Sequence, residues 1–246
     1  MLTLLKKIKN YLSHKIQIFF EKMFKKIKSL GRSKKINNYL KNNELKKLHL
    51  GCSRESRKGW LPTDLVPQSS NVIYLDASDQ LPFEDYTFDY IYCEHMIEHI
   101  NYFQAKKMLI ECFRILKSGG KIRIATPDLD KYLSLIIEKN NSNNKSIINF
   151  YMNKLFTKYP NNENSVFHIL NLEMHSWGHK YIYNYNTLSE QLLDSGFLNI
   201  KKQETGQSDD IHLQNLEMHG ENFEKIGLTD DVDFFKFETI IVEAIK

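Results

Sequence analysis

Residues 75–99 read LDASDQLPFEDYTFDYIYCEHMIEH, and residues 114–129 read RILKSGGKIRIATPDL. Thr87 to His95 is rich in β-formers and ends openly at Cys93 and Glu94, which reads as a strand. The following segment, 96–117, places Ile97, Ile100, Met108, Ile110, Phe113 and Leu116 at helical steps. Ser118, Gly119 and Gly120 break that pattern, and KIRIATP (121–127) reads as another strand. Strand, long helix, strand is the unit that builds a parallel sheet covered by helices.

The same alternation extends outward. Upstream lie three short strand candidates: LKKLHLG (45–51), ending at a glycine, GWLPTDL (59–65), ending near Asp64, and NVIYLDAS (71–78), ending at Asp76. Downstream, residues 140–165 are asparagine-rich loops around a short aromatic segment at 150–159. A helix is expected over 185–197, with Asn186 or Thr187 as cap and Gly196 as stop. Strands at 198–205 and 235–246 close the chain, and the long connection between them predicts an antiparallel pair.

Charge divides the 246 residues into two parts, a leader and linker (1–44) and a domain (45–246). Twelve of the 34 basic residues and one of the 30 acids lie within 1–41, which leaves an acidic body behind a basic leader. In the leader, Leu5, Ile8, Leu12, Ile16, Phe19, Met23, Ile27 and Leu30 share one helical face, and lysines fill the rest. Gly31 is a natural stop, and 32–44 reads as a polar linker. An amphipathic basic helix of this kind suits an anionic membrane surface; packing on its own domain or a dimer mate is the alternative. No base-reading module accompanies it, so nucleic acid is not the expected partner. No uncharged apolar run reaches spanning length. Cys52, Cys93 and Cys112 form neither a disulfide framework nor a cysteine metal site, which fits a reducing cytoplasm and the inner face of the membrane. The sequence does not set the oligomeric state.

The ordered pieces LHLGCS (48–53), TDL (63–65), 75–99 and 114–129 resemble the class I S-adenosylmethionine-dependent methyltransferases. The resemblance is strong over 45–130 and looser over 178–246. It implies an α/β, Rossmann-like seven-stranded sheet, mostly parallel, with a C-terminal antiparallel pair. It implies S-adenosyl-L-methionine as cofactor, held by Gly51, Cys52, Ser53, Asp64, Asp76, Ala77, Leu81, Cys93 and Glu94. A glycine lets backbone approach a ligand where a Cβ would collide, a carboxylate ending a strand can accept ribose hydroxyls, and ligands in such sheets lie beyond the strands' carboxyl ends. Two departures stand out. The glycine loop reads Gly51-Cys52-Ser53 in place of G-x-G, and Asp64 follows Gly51 by 13 residues where about 20 is usual. The short spacing resembles a bacterial subgroup associated with cell-surface polysaccharide synthesis, which implies a sugar or glycan acceptor.

A hydroxyl acceptor needs a base, and His95 and His99 follow the open end of the fourth strand. Segments 174–187 and 208–220 carry further histidines, tyrosines and acids and are expected to fold over the strand ends as an acceptor pocket. His95 to His99 also spells H-x-x-E-H, the inverted zinc-protease motif, in which two histidines four apart on a helix bind zinc. Its place directly after a strand weighs against that reading, and no metal is expected. A non-catalytic protein on the same fold is the other alternative.

Overall fold

The computed structural model describes residues 19, 20, 23, 25–53, 57–138, 141–155, 157–159, 162, 164–217 and 237–246. Leu5, Ile8, Leu12 and Ile16 of the expected leader stripe lie outside them.

Seven strands form one sheet: β1 (Lys47–Leu50), β2 (Leu61–Asp64), β3 (Ile73–Tyr74), β4 (Phe88–Glu94), β5 (Leu116–Pro127), β6 (Leu198–Gln203) and β7 (Thr239–Ile245). Their order is β3-β2-β1-β4-β5-β7-β6. The first five run parallel, and β7 inserts antiparallel between β5 and β6. The sheet is the seven-stranded, Rossmann-like methyltransferase sheet that the sequence implied. The chain reverses its winding between β1 and β4, so the crevice beyond their ends is the place for a ligand.

Strand alternation gives the sheet two unlike faces. Leu48, Leu50, Ile91, Cys93, Ile122, Ile124, Val242 and Ala244 join one large core under α2 (Tyr102–Ile115) and α6 (Tyr185–Asp194). The other face carries the cross-strand row His49, Tyr92, Arg123 and Glu243. Trp60, Leu213 and Leu216 cover it, a small cluster supplied by loops.

Several elements differ from the sequence reading. The linker at 32–44 is largely a helix, α1 (Arg32–Asn42). Ile36, Tyr39 and Leu40 form a short apolar stripe that packs on the main core. The Tyr39 hydroxyl accepts from the Lys47 N–H and reaches the Lys47 and Gly59 carbonyls. Gly31 precedes this helix at φ 75° and does not end the chain's helical stretch. Helix α3 (Leu129–Ile137) follows β5, and the asparagine-rich stretch after 140 is helical in part: α4 (Ser142–Phe150), a π-turn at Tyr151–Leu155 and the start of α5 (Ser165–His175). Asn141 caps α4, and buried Asn144 binds the Ser134 and Glu138 carbonyls. Asparagine here satisfies helix ends instead of forming loops. These helices enclose a second core beyond the end of β5, around Tyr132, Leu135, Ile147 and Ile169. The cap of α6 is Asn184, two residues before the expected position, in a reciprocal pair with Thr187.

The expected helix over 96–117 is two pieces. Ile97–His99 is a single 3₁₀ turn, and α2 begins only at Tyr102, behind a capping box of Asn101 and Gln104. Strand β5 starts at Leu116, pairs with Phe88, and shifts register across the Ser118–Gly120 turn.

Candidate functional site

The chain leaves β1 at Gly51, which sits at φ 69°. A Cβ there would lie 2.3 Å from Cγ of Met96, so the turn is pressed against the residue that follows the exit of β4. Cys52 donates its backbone N–H to the Thr63 carbonyl (3.0 Å). Ser53, at φ 51°, donates its own to Asp64 Oδ2 (2.8 Å). Asp64 Oδ1 accepts from the Val66 N–H (2.7 Å). The first loop is therefore held on the last residue of β2, and the short spacing from Gly51 to Asp64 accompanies it: with no helix among the described residues between β1 and β2, the loop itself docks on the acid. Burial, with Asp64 nearby, pushes the Cys52 thiol up to about 12, so it is no nucleophile.

Asp76 lies two residues beyond β3. Its Oδ1 accepts from the Ser78 N–H and hydroxyl (3.1 and 2.6 Å), and Oδ2 accepts from Lys25 Nζ (2.7 Å), which also reaches Asp79 (2.7 Å). Burial opposes the carboxylate, but Lys25 and Ser78 outweigh it and hold Asp76 below its ordinary range. Ala77 packs against the main core, and Leu81 is buried within it. The Leu81 N–H donates to Glu111 Oε2, and Arg114 donates to the Leu81 and Phe83 carbonyls, so α2 clamps this loop from below. Cys93 is wholly buried in the core; only its backbone stands at the sheet edge. Glu94 accepts from Arg57 Nη2 (3.0 Å).

His95 has φ 43°, a left-handed conformation uncommon for a side chain with a Cβ. Its N–H donates to the Ala125 carbonyl, Nε2 is 3.2 Å from Thr239 Oγ1, and Nδ1 is 3.3 Å from Glu98 Oε1. Burial opposes a charged ring, but Glu98, with Glu238 and Glu94 farther off, raises its pKa to about 9. His99 turns away toward His179, with ring centroids 5.0 Å apart. His95 and His99 therefore do not share a helical face, and the arrangement demanded by the zinc-protease spelling is not formed.

Behind His95 lies a buried polar cluster that sequence reasoning missed. Glu98 is fully buried and accepts from Thr126 Oγ1 (3.0 Å). Tyr132 donates to Glu238 Oε2 (3.2 Å), and Tyr151 donates to the Tyr132 hydroxyl (2.8 Å). Burial pushes the Glu173 and Glu238 carboxyls up, to about 8 and about 7. These residues come from the 3₁₀ turn after β4, from β5, from the residue before β7, and from α3, the π-turn and α5, so no local motif joins them; their one sequence signal is acids within otherwise apolar runs.

The segments expected over the strand ends go elsewhere in part. Tyr183 is buried and donates to Gln191, Tyr185 donates to the Ile200 carbonyl, and Tyr181 stacks on Tyr102. Asp210 binds Lys121 and Tyr90, His212 stacks on Tyr90, and Glu217 binds Arg123. Residues 208–217 thus cover the polar sheet face. Among the described residues, only the turn around Trp177 and His179 reaches the exit of β4.

The residues present fit S-adenosylmethionine. A tight glycine turn and the carboxylates Asp64 and Asp76 lie at neighbouring strand ends, and carboxylates are the acceptors that ribose hydroxyls and an exocyclic amine require. The sheet order, with β7 antiparallel between β5 and β6, is that of the Rossmann-like methyltransferase fold. Residues 55–124 match the family profile described as "Methyltransferase domain". Two uncharacterised proteins of Methanocaldococcus jannaschii are similar to shorter segments. One is 42% identical over 53 residues, 22% of this chain and 22% of the relative. The other is 33% identical over 73 residues, 30% of this chain and 35% of the relative. The chain thus spans about a fifth and a third of the lengths of these relatives. Among solved structures, a SAM-dependent methyltransferase from Archaeoglobus fulgidus is 18% identical, with 94% of this chain and 99% of that one covered and a TM-score of 0.47. A SAM-dependent methyltransferase described as a possible histamine N-methyltransferase, from Thermotoga maritima, is 14% identical, with 85% and 87% covered and a TM-score of 0.45.

Proposed function

We propose that this protein transfers a methyl group from S-adenosylmethionine to an oxygen of a sugar or a related small polar acceptor of cell-surface glycan metabolism. The observation that carries the reading is the convergence of Gly51, Asp64 and Asp76 on one edge, beside the exit of β4 where Glu94 and His95 emerge. The cofactor supplies an electrophilic methyl carbon on a sulfonium centre. The chain would align it: Gly51 to Ser53 would form the turn beneath it, Asp64 would accept from ribose, Asp76 and Ala77 would meet the adenine end with Leu81 behind them, and the Cys93 and Glu94 backbone would line the edge. The acceptor hydroxyl would hand its proton to Nε2 of His95 in its neutral form, whose share grows as pH rises toward the His95 pKa of about 9. His99 shapes the pocket through His179.

An amine acceptor is the second reading. The carboxylates Glu94 and Glu98 lie near His95, a setting that attracts a cationic amine, and an amine demands no strong base. Calorimetric titration with S-adenosylmethionine followed by methyl transfer from isotope-labelled cofactor to glycan and amine panels tests both. Absence of binding at millimolar cofactor refutes the proposal; binding with no acceptor labelled across both panels supports a non-catalytic role.

The basic leader would hold the domain against an anionic membrane on its cytoplasmic side. Among the described residues, no helix is long and apolar enough to cross one. Flotation with anionic liposomes, full chain against a chain starting at Glu44, checks this; equal flotation rejects it.

A further inference from the structure

Glu98, His99 and His179 each present a ligand atom, and these atoms lie within 4.8 Å of one another. We propose that the three bind a divalent transition-metal ion of the zinc class. The inference does not depend on the methyl-transfer reading.

Backbone bonds bring the set together. The N–H groups of Lys180 and Tyr181 both donate to the Glu98 carbonyl (2.8 and 3.3 Å), which stitches the His179 turn to the 3₁₀ turn carrying Glu98 and His99. Trp177 and Gly178, both at positive φ, make the reversal that aims His179 inward. The His179 ring is oriented in turn: Nδ1 donates to the Glu173 carbonyl (2.7 Å), which leaves Nε2 as the donor to a metal. Metal-bound histidines commonly fix their second nitrogen in this way.

Glu98 supplies the independent observation. Its side chain is fully buried, and Oε1 has no hydrogen-bond partner among the described residues, although His95 Nδ1 stands 3.3 Å away. Oε2 is fixed by Thr126 (3.0 Å), so the group is oriented, with lone pairs to spare. A buried oxygen of this kind demands a partner.

Two imidazoles and one carboxylate select zinc, cobalt, iron or manganese over magnesium or calcium. Metal–ligand bonds of about 2.0–2.2 Å call for donor atoms roughly 3.4 Å apart, so the side-chain ends close by little more than an ångström on binding. Three protein ligands leave a fourth position for water or an acceptor oxygen. The set shares letters with H-x-x-E-H but not its geometry: His95 is replaced by His179, from a turn 80 residues downstream.

The test uses the full chain, purified without chelator and without an added histidine tag. Elemental analysis is expected to find one transition-metal ion per chain. After chelator treatment, calorimetry with zinc chloride is expected to show one site, and cobalt chloride to give the visible absorption of a low-symmetry site. His179→Ala and Glu98→Gln should each weaken zinc binding at least tenfold, while His175→Ala, on the exposed end of α5, should not. If Glu98→Gln fails to fold, His179→Ala carries the decision. Less than a tenth of an equivalent of metal with no calorimetric heat overturns the site, as does His179→Ala retaining wild-type affinity. Titrating the same samples with S-adenosylmethionine separates this outcome from that of the methyltransferase reading.

Discussion

Asp64 offers the sharpest test of the cofactor site, because its hydrogen bonds can be counted. An ionised carboxylate accepts at about four lone-pair positions. Two are taken, by the Ser53 and Val66 N–H groups at 2.8 and 2.7 Å. Two remain, the number a ribose diol uses. In Asp64→Asn one oxygen becomes an NH₂ group, which cannot accept, and the charge is lost. The variant must either face a donor toward Ser53 or Val66, or turn it toward the ribose. Hydrogen bonds to charged groups contribute about 1.5–3 kcal/mol each. Loss of one such bond to the cofactor therefore weakens binding by roughly 10- to 100-fold, at about 1.4 kcal/mol per tenfold.

Calorimetric titration of wild type and Asp64→Asn with S-adenosylmethionine measures this directly. A parallel thermal melt distinguishes a lost ligand contact from a collapsed loop, since removing a cap-like side-chain bond costs about 1 kcal/mol. The reasoning fails if the variant folds normally and binds within about twofold of wild type, well inside the tenfold step. In that case the two backbone bonds are the whole role of Asp64.

Gly51→Ala combines a left-handed backbone, costing about 1–2 kcal/mol, with a Cβ 2.3 Å from Met96 Cγ. Its urea midpoint should fall, and adding Met96→Ala, which removes Cγ but leaves the Met96 Cβ 2.6 Å away, should recover only a fraction of the loss; full recovery would refute the backbone argument. Glu243→Ala removes a partner of fully buried Arg123, whose remaining carboxylate is Glu217. Stripping a buried charge of its partner costs about 3–5 kcal/mol, so urea unfolding should show a loss near the lower end, and a loss below about 1 kcal/mol would sink the assignment. Burial opposes the Asp210 carboxylate, but Lys121, the His212 N–H and the Tyr90 hydroxyl outweigh it and hold its pKa down. The unfolded chain then binds this proton first, so the stability from Asp210 is present above its ordinary pKa near 4 and is lost as pH falls further. Asp210→Asn should flatten the acid limb of the stability curve, and an unchanged slope would contradict the pairing.

The parts of the fold visible in sequence are those that depend on short-range periodicity. Each of the seven strands lies within its expected segment or, for β5, overlaps it, because each is a β-rich run closed by Gly, Asp or a turn. Position along the chain also sufficed to put Gly51, Asp64, Asp76 and Glu94 at one edge. What stayed hidden depends on partners far away. Helix α1 hides its stripe of Ile36, Tyr39 and Leu40 among lysines and asparagines, and only the sheet edge makes that stripe worth burying. Helix α4 is built on asparagines that would favour loops unless Ser134 and Glu138 were there to accept from Asn144. Segment 208–217 was expected at the strand ends; the reason it lies on the sheet face is Arg123, a charge in the middle of a strand that must find carboxylates.

The turn at Ile97–His99 shows how a small change of winding redirects chemistry. Read as an α-helix, the segment pairs His95 with His99 one turn along, because residues four apart face each other. The 3₁₀ turn winds at three residues, so the residue three along comes to the same side. His95, which precedes this turn at φ 43°, meets Glu98 (3.3 Å), and His99 faces His179. One letter string thus divides into two sites. His95 stands at the sheet edge beside Thr239. Glu98 and His99 face the His179 turn, where a cation can be held. Glu98 belongs to both, since Oε1 is the oxygen nearest His95 and also the one without a hydrogen-bond partner. A metal bound there would draw on the same carboxylate that orients His95, so occupancy of the second site would be felt at the first.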